Sequence, residues 1–175
     1  MAQILNHPLE LRSTVGRGSR FSISVRRSAR SELISAHDPQ FAGDSLVGVR
    51  ALCIDNERTI LEGMQALLSR WGCQVELARD GAEALAKFDR FKPTILLVDY
   101  HLDDESGLDV ITQLRSRSST DIRVVVITAD HGEQIEKLAQ AAGYRLLRKP
   151  LKPAKLRAML ERLNRQLDEH DALIG

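Results

Sequence analysis

The sequence lacks the features that mark secreted, disulfide-stabilised and membrane-spanning proteins. It has two cysteines, no CxxC pair, and no histidine at the spacing of a zinc ligand. Cys53 and Cys73 both fall in apolar segments, so we expect buried, reduced thiols of the kind found in a reducing cytoplasm. No apolar run approaches the roughly 18 residues of a membrane-spanning helix. The first residues also lack the charged and then apolar composition of a signal peptide, so we expect neither secretion nor an anchor.

An excess of charge of one sign is also absent. The 25 Lys and Arg residues balance the 24 Asp and Glu residues almost completely, and the formal net charge is +1. A near-neutral chain provides no electrostatic reason for binding nucleic acid or a membrane surface, so we expect neither partner. Hydrophobic residues make up 43% of the chain, which is typical of a soluble globular protein. We therefore expect a cytoplasmic location.

From residue 49 onward the sequence alternates regularly between apolar runs and helical patterns. Five short apolar runs, such as "TILLVD", are each followed by a segment with apolar residues at helical spacing. Ile60, Met64 and Leu67, for example, lie on one face of a 3.6-residue period. This alternation predicts an α/β domain over residues 48–168, with a doubly wound, five-stranded parallel sheet.

The segments outside this domain differ from it in composition. Residues 1–25 contain two alternating stretches around the turn-rich "TVGRGS", which predicts an N-terminal β-hairpin. Residues 26–47 are polar, rich in Ser and Ala, and without periodicity, so they predict a flexible linker. We interpret residues 169–175 as a C-terminal tail.

Polar side chains are expected at the ends of four of the five predicted strands. The first strand ends at Asp55, the third at Asp99, the fourth at Thr128 and the fifth at Lys149. The carboxyl ends of parallel strands meet at one edge of a sheet, where doubly wound folds bind their ligands. Carboxylates suit Mg²⁺, and beside such an ion Asp99 can attack a phosphoryl group and become an aspartyl phosphate. Lys149 would neutralise one phosphate oxygen, and Thr128 would hydrogen-bond another.

Four stretches, "LCIDNE", "ILLVDYHLDDESGLDVI", "VVVITAD" and "LLRKPLKPAKL", resemble the receiver domain of two-component response regulators. The resemblance covers Val49 to Asp168 and implies the flavodoxin-like strand order 2-1-3-4-5. It implies a function in phosphorelay signal transduction, with Asp99 as the phosphoacceptor and no enzymatic activity beyond self-catalysed phosphotransfer and dephosphorylation. The implied metal ligands are Asp55, Asn56, Asp99 and the backbone carbonyl of His101. The implied phosphate contacts are Thr128, Ala129 and Lys149.

The sequence departs from the family pattern at two positions. Asn56 stands where the family has the second residue of an acidic pair, which removes a negative charge and should weaken Mg²⁺ binding. Leu146 stands at the switch position, three residues before the lysine, where the family often has Tyr or Phe. Tyr144 lies nearby but is out of register. His101 and Asp130 each lie two residues beyond a strand-end site residue, and we hypothesise that they tune the attack of water on the acyl phosphate.

The N-terminal hairpin carries a second resemblance. "NHPLELRSTVGRGSRFSISV" is similar to the last strands of the ATP-binding domain of histidine kinases, with "GRGSRF" matching a glycine-containing segment near the end of that domain. The rest of such a domain is missing, so this piece is not expected to bind ATP by itself. The chain therefore resembles the C-terminal part of a hybrid sensor histidine kinase. The implied partner is a histidine kinase or a histidine phosphotransfer protein.

The residues leave other functions open. A haloacid-dehalogenase-like phosphatase also forms an aspartyl phosphate, but it needs a second Asp two residues after the nucleophile, where this chain has His101. An FMN carrier shares the sheet order but needs a phosphate-cradling loop in place of the acidic "DNERTILEG". A receiver-like interaction module that works without phosphorylation is favoured by Asn56 and Leu146.

A partner-binding or homodimer face is expected on the fourth helix, the fifth strand and the fifth helix. The last predicted helix keeps apolar residues as far as Leu167, which is longer than the core of the domain requires. The alternative is that these residues simply pack in the core.

Overall fold

The computed structural model describes residues 9–14, 16, 18–24, 46–118, 122–130 and 132–174. The chain divides into two compact units, Met1–Ala42 and Gly43–Gly175. Most of the predicted linker, residues 26–45, lies outside the described residues.

The first unit contains the predicted β-hairpin. Strand β1 (Leu9–Thr14) pairs with strand β2 (Gly18–Ile23) in antiparallel register, and Leu11 is opposite Phe21. Gly16 in the connecting turn has a φ of 77°, a conformation that glycine adopts readily because it has no Cβ. Leu11 is 58% exposed and Phe21 is 71% exposed. Two strands alone bury too little apolar surface for independent stability, so this hairpin needs a surface to pack on.

The second unit is built around a parallel sheet, which has five strands in the part of the chain described. These are β3 (Arg50–Ile54), β4 (Gln74–Ala78), β5 (Ile95–Asp99), β6 (Arg123–Thr128) and β7 (Arg145–Arg148). They lie in the order β4-β3-β5-β6-β7, and each neighbouring pair is parallel. Counted within this unit, the order is 2-1-3-4-5, so the predicted fold class is confirmed. The central strand β5 is buried at every residue because both faces of the sheet are covered.

The described residues of this unit form five helices that cover the sheet. They are α1 (Arg58–Arg70), α2 (Gly81–Phe91), α3 (Gly107–Arg117), α4 (Glu133–Ala141) and α5 (Pro153–Ile174). Two hydrophobic clusters form the core: one packs α1 and α5 against the sheet, and the other packs α2 and α3. Along β3, Cys53 belongs to the first cluster and its neighbour Ile54 to the second, as the alternation of side chains along a strand requires. Among the described residues, no helix has both the length and the hydropathy needed to cross a bilayer.

Both cysteines are buried free thiols, as expected. Burial raises the pKa of Cys53 well above its usual range. It also raises the pKa of Cys73 to about 11, although the nearby charge of Arg157 acts in the opposite direction. Neither thiol is therefore a thiolate near neutral pH, and both serve as core residues.

The ordered structure extends beyond the predicted domain at both ends. Leu46, which the sequence placed in the linker, is fully buried and belongs to the cluster that contains α1 and α5. Helix α5 continues to Ile174 and so includes most of the predicted tail. The helix extends this far because no Pro or Gly interrupts it before Gly175, so the sequence contains no stop signal at residue 168.

Candidate functional site

The ends of five strands are connected by backbone hydrogen bonds at one edge of the sheet. Asp55 N donates to Ala78 O at 3.1 Å, and Tyr100 N donates to Ile127 O at 2.8 Å. Lys149 N donates to Thr128 O at 2.8 Å. The pairing thus continues one residue beyond β3, β5 and β7, and it fixes the backbone from which the predicted site residues project.

A buried ion-pair cluster lies at this edge. Lys149 Nζ is 3.0 Å from Asp55 Oδ2 and 3.2 Å from Asp99 Oδ2. Asp55 is 4% exposed and Asp99 is 6% exposed, so both carboxylates are largely removed from water. Three predicted site residues, separated by up to 94 positions in the sequence, are therefore in direct contact.

Burial and charge act against each other in this cluster. Burial raises the pKa of Asp99; the charge of Lys149 and its hydrogen bond lower it, and the charge of Asp55 raises it again. For Lys149, burial lowers the pKa, but the hydrogen bonds and negative charges of Asp55 and Asp99 outweigh burial and leave the pKa raised. Lys149 is thus held as a cation, and the pKa of Asp99 stays raised because the positive charge of Lys149 only partly compensates the burial of Asp99.

The loop after β3 orients the first carboxylate. Asp55 Oδ1 accepts a hydrogen bond from Glu57 N at 2.9 Å, which leaves Oδ2 for Lys149. Asn56 points its amide nitrogen at Asp103 Oδ1, in the loop between β5 and α3. Asn56 and Asp103 also line a cavity of about 270 Å³.

Thr128 and Asp130 are connected to α4 through Arg148, which sequence reasoning missed. Thr128 is fully buried, and its Oγ1 accepts a hydrogen bond from Asp130 N at 3.0 Å. Arg148 Nη1 donates to Asp130 O at 3.0 Å, and Arg148 Nη2 lies 2.7 Å from Glu136 Oε2 on α4. The sequence signal was a second cation at the end of β7, immediately before Lys149.

Gly107 is a second residue that the sequence reasoning did not identify. It is the first residue of α3, its N–H donates to Tyr100 O at 2.9 Å, and Ser106 caps the helix through its side chain. A Cβ at Gly107 would lie 2.1 Å from Asp99 O and 3.1 Å from the side chain of Val98. Only glycine lets α3 pack this closely against the end of β5.

Sequence comparison places this arrangement in a known family. A sequence model of the response regulator receiver domain matches residues 51–161. The chain belongs to the response regulator receiver family. Response regulator MprA of Mycobacterium leprae is 36% identical to it over 127 residues, which are 71% of this chain and 54% of that protein. Sensory transduction protein RegX3 of Mycobacterium tuberculosis is 38% identical over 82 residues, which are 47% of this chain and 35% of that protein.

Solved structures agree with this placement. The chemotaxis protein CheY4 of Vibrio cholerae has 25% sequence identity and a TM-score of 0.62, over 66% of this chain and 98% of that one. The receiver domain of a LuxO-type repressor from Vibrio parahaemolyticus has 19% identity and a TM-score of 0.66, and so supports the fold alone. The chain spans about half the length of the curated relatives it matches.

The remaining predicted residues have different surroundings within this receiver. His101 is exposed, and its ring contacts that of Tyr100 edge-on at 4.7 Å between centroids. Its charge is one of the smaller influences that lower the pKa of Asp99. Ala129 is exposed at the end of β6, and Leu146 is half-buried against the cluster that contains α2 and α3. Tyr144 packs against the same cluster, and its ring centroid is 5.7 Å from the guanidinium of Arg115.

The donor set at the edge of the receiver sheet fits a magnesium ion. Among the described residues, no three His, Cys, Asp or Glu side chains are grouped as a metal cage. Mg²⁺ does not need such a cage, because proteins usually hold it through one or two carboxylates while it keeps several waters. Asp55 and Asp99 already share one cation through their Oδ2 atoms, as their contacts to Lys149 show. Two hard oxygen donors that can approach one positive charge are what this ion requires.

Proposed function

We propose that this receiver accepts a phosphoryl group on Asp99 and relays a signal through the change in structure that follows. The observation that carries the proposal is the contact of Lys149 Nζ with both Asp55 and Asp99 at the edge of the sheet. Replacing a buried ion cluster as a whole by apolar side chains is often neutral or stabilising, so packing alone does not explain why these three charged side chains are buried together. The cluster suits a site at which further negative charge arrives.

The proposed donor is a phosphohistidine of a histidine kinase or a histidine phosphotransfer protein. An Asp99 carboxylate oxygen attacks the phosphorus, a P–O bond forms and the P–N bond of the phosphohistidine breaks. The electron pair of that bond stays on the leaving imidazole nitrogen. Lys149 interacts with the phosphoryl oxygens as a point charge. Burial increases the strength of this interaction, because little water screens it.

The proposal includes Mg²⁺ as cofactor. When bound by Asp55, Asp99 and the backbone carbonyl of His101, the ion would neutralise charge on the phosphoryl oxygens and so lower their repulsion from Asp99. Asn56 would contribute through its amide oxygen. Release of the phosphoryl group is by water, and we propose that His101 and Asp130 adjust its rate. An His101→Ala variant with an unchanged aspartyl phosphate lifetime would count against that role.

The proposed output begins at Thr128. A hydrogen bond from Thr128 Oγ1 to a phosphoryl oxygen, with Ala129 N–H as a second donor, would pull on the loop that carries Asp130. Because Arg148 connects this loop to Glu136, the strain reaches α4. Leu146, at the switch position, would move with β7. The affected surface comprises α4, β7 and α5, and we propose it as the face for a partner or for a second copy of the chain.

The broader setting we propose is a cytoplasmic hybrid histidine kinase that contains this receiver. The support is the N-terminal unit, whose hairpin over residues 9–23 presents the exposed apolar side chains of Leu11 and Phe21. Such a hairpin suits the end of a larger sheet. A linker and the receiver complete the proposed domain arrangement, and the receiver core begins at Leu46 rather than at the predicted residue 48.

The test is the intact mass of the chain after incubation with Mg²⁺ and acetyl phosphate, compared with an Asp99→Asn variant. One added phosphoryl group in the parent chain alone is the expected result. No added mass, with no Mg²⁺ binding, would favour the second candidate, a receiver that recognises partners without phosphorylation. The observation that favours this candidate is the uncharged Asn56 at the metal site.

A further inference from the structure

The contact between Asn56 and Asp103 joins the two loops that would surround the metal. Asn56 directly follows Asp55, and Asp103 lies four residues after Asp99. The amide nitrogen of Asn56 donates a hydrogen bond to Asp103 Oδ1, across 47 residues of sequence. Asn56 is half-buried and Asp103 is exposed, so the contact lies at the boundary between the site and solvent.

This hydrogen bond determines which atom Asn56 can offer to a cation. A carboxylate only accepts hydrogen bonds, so the atom of Asn56 that faces Asp103 has to be the amide nitrogen. The amide oxygen is then the atom that remains for a cation or for its bound water. Had the group opposite been able to donate as well, either end of the amide could have faced the site.

Asp103 also places a carboxylate beside the uncharged Asn56. The Asp103 carboxylate is hydrogen-bonded directly to the side chain at position 56, where the receiver family has an acidic residue. An oxygen from Asn56 and a negative charge from Asp103 together provide what a single carboxylate at position 56 would provide. We propose that Asp103 is a positioning residue for Mg²⁺: it orients the Asn56 amide and restores the missing charge. This inference rests on the proposed function.

The experiment measures Mg²⁺ affinity by isothermal titration calorimetry, with a two-by-two set of variants. Asp103→Asn in the parent chain should weaken Mg²⁺ binding roughly three- to tenfold, the range for a unit charge close to a divalent ion but exposed to water. Asn56→Asp should restore the affinity of that variant, because the carboxylate then lies at position 56. In the Asn56→Asp background, Asp103→Asn should change the affinity less than about twofold. Asp104→Asn removes the same charge from the next residue and is the matched control, expected to stay within about twofold of the parent chain.

A metal-free measurement tests the contact between positions 56 and 103 independently of Mg²⁺. In EDTA, Asn56→Asp places two carboxylates in contact, so adding Asp103→Asn should raise the melting temperature of that variant. Equal losses of Mg²⁺ affinity for Asp103→Asn and Asp104→Asn would overturn the inference, because they would reflect net charge alone. So would a parent chain that binds no Mg²⁺ while Asn56→Asp binds it. The proposed function is tested separately, by the gain of one phosphoryl group in the intact mass, which requires Asp99.

Discussion

Lys149→Met is the substitution that most directly tests the ion-pair cluster. It removes the cation and keeps much of the side-chain length, so Asp55 and Asp99 lose their shared partner while the chain still fills the space. Asp55 is 4% exposed and Asp99 is 6% exposed, and their Oδ2 atoms lie 3.0 Å and 3.2 Å from Nζ in the parent chain. Two buried carboxylates would then face each other without compensation.

The expected cost follows from this burial. Breaking a buried ion pair by removing one partner destabilises a protein by roughly 3–5 kcal/mol. The Lys149 side chain is still 19% exposed, so water reaches the cluster and we expect the lower end of that range. A loss of about 3 kcal/mol corresponds to a decrease of roughly 10 °C in melting temperature for a domain of this size.

The assay is urea unfolding followed by circular dichroism, in EDTA at pH 7. Lys152→Met removes the same charge from an exposed position in the turn before α5 and should stay within about 0.5 kcal/mol of the parent chain. Without Lys149 the pKa of Asp99 rises further, so part of the lost stability should return as the pH is lowered and Asp99 becomes protonated. A loss below about 1 kcal/mol, or no recovery at lower pH, would refute the assignment of this cluster as a coupled charge site.

Three further predictions concern the same edge of the sheet and the core. Asp99→Asn should raise the unfolding free energy in EDTA by about 1 kcal/mol at pH 7. Because burial raises the folded-state pKa of Asp99, this advantage should shrink as the pH falls through that pKa. A difference in unfolding free energy that stays constant with pH would contradict the prediction. Gly107→Ala should cost at least about 3 kcal/mol of stability in thermal or urea unfolding, since its Cβ would lie 2.1 Å from the carbonyl oxygen of Asp99; Gly63→Ala on α1, where a Cβ meets nothing within 4 Å, is the control. Cys53 and Cys73 should not react with Ellman's reagent in the folded protein at pH 8, because burial raises both pKa values. Both thiols should react when the protein is unfolded in urea. Rapid labelling of the folded protein would contradict the prediction and show that the core opens.

Much of the fold could be predicted because its signals are local. The run that ends at Asp99 is continuous and apolar, and the structure buries every residue of it at the centre of the sheet. The helical period of Ile60, Met64 and Leu67 identifies the face of α1 that packs in the core, where Met64 is buried. Since parallel strands bring their carboxyl ends to one edge, Asp55 and Lys149 could also be assigned to one site without knowing any distance.

The contacts between loops could not be predicted in this way. Arg148 reaches Asp130 and Glu136, and Asn56 reaches Asp103, but no periodic pattern connects these positions. The need for glycine at position 107 could not be predicted either, because it arises from the nearby carbonyl of Asp99 and not from the helix that Gly107 begins.

By itself the sequence determined the strands, the helices, the parallel sheet and the set of side chains at its edge, because hydrophobic periodicity is a property of neighbouring residues; the order of the strands came from the resemblance to the receiver family. The tertiary structure alone decided which oxygen of Asp55 contacts Lys149, which end of the Asn56 amide is occupied, and how Thr128 is connected to α4. These features depend on distances and hydrogen bonds between residues far apart in the chain, which exist only once the loops have packed.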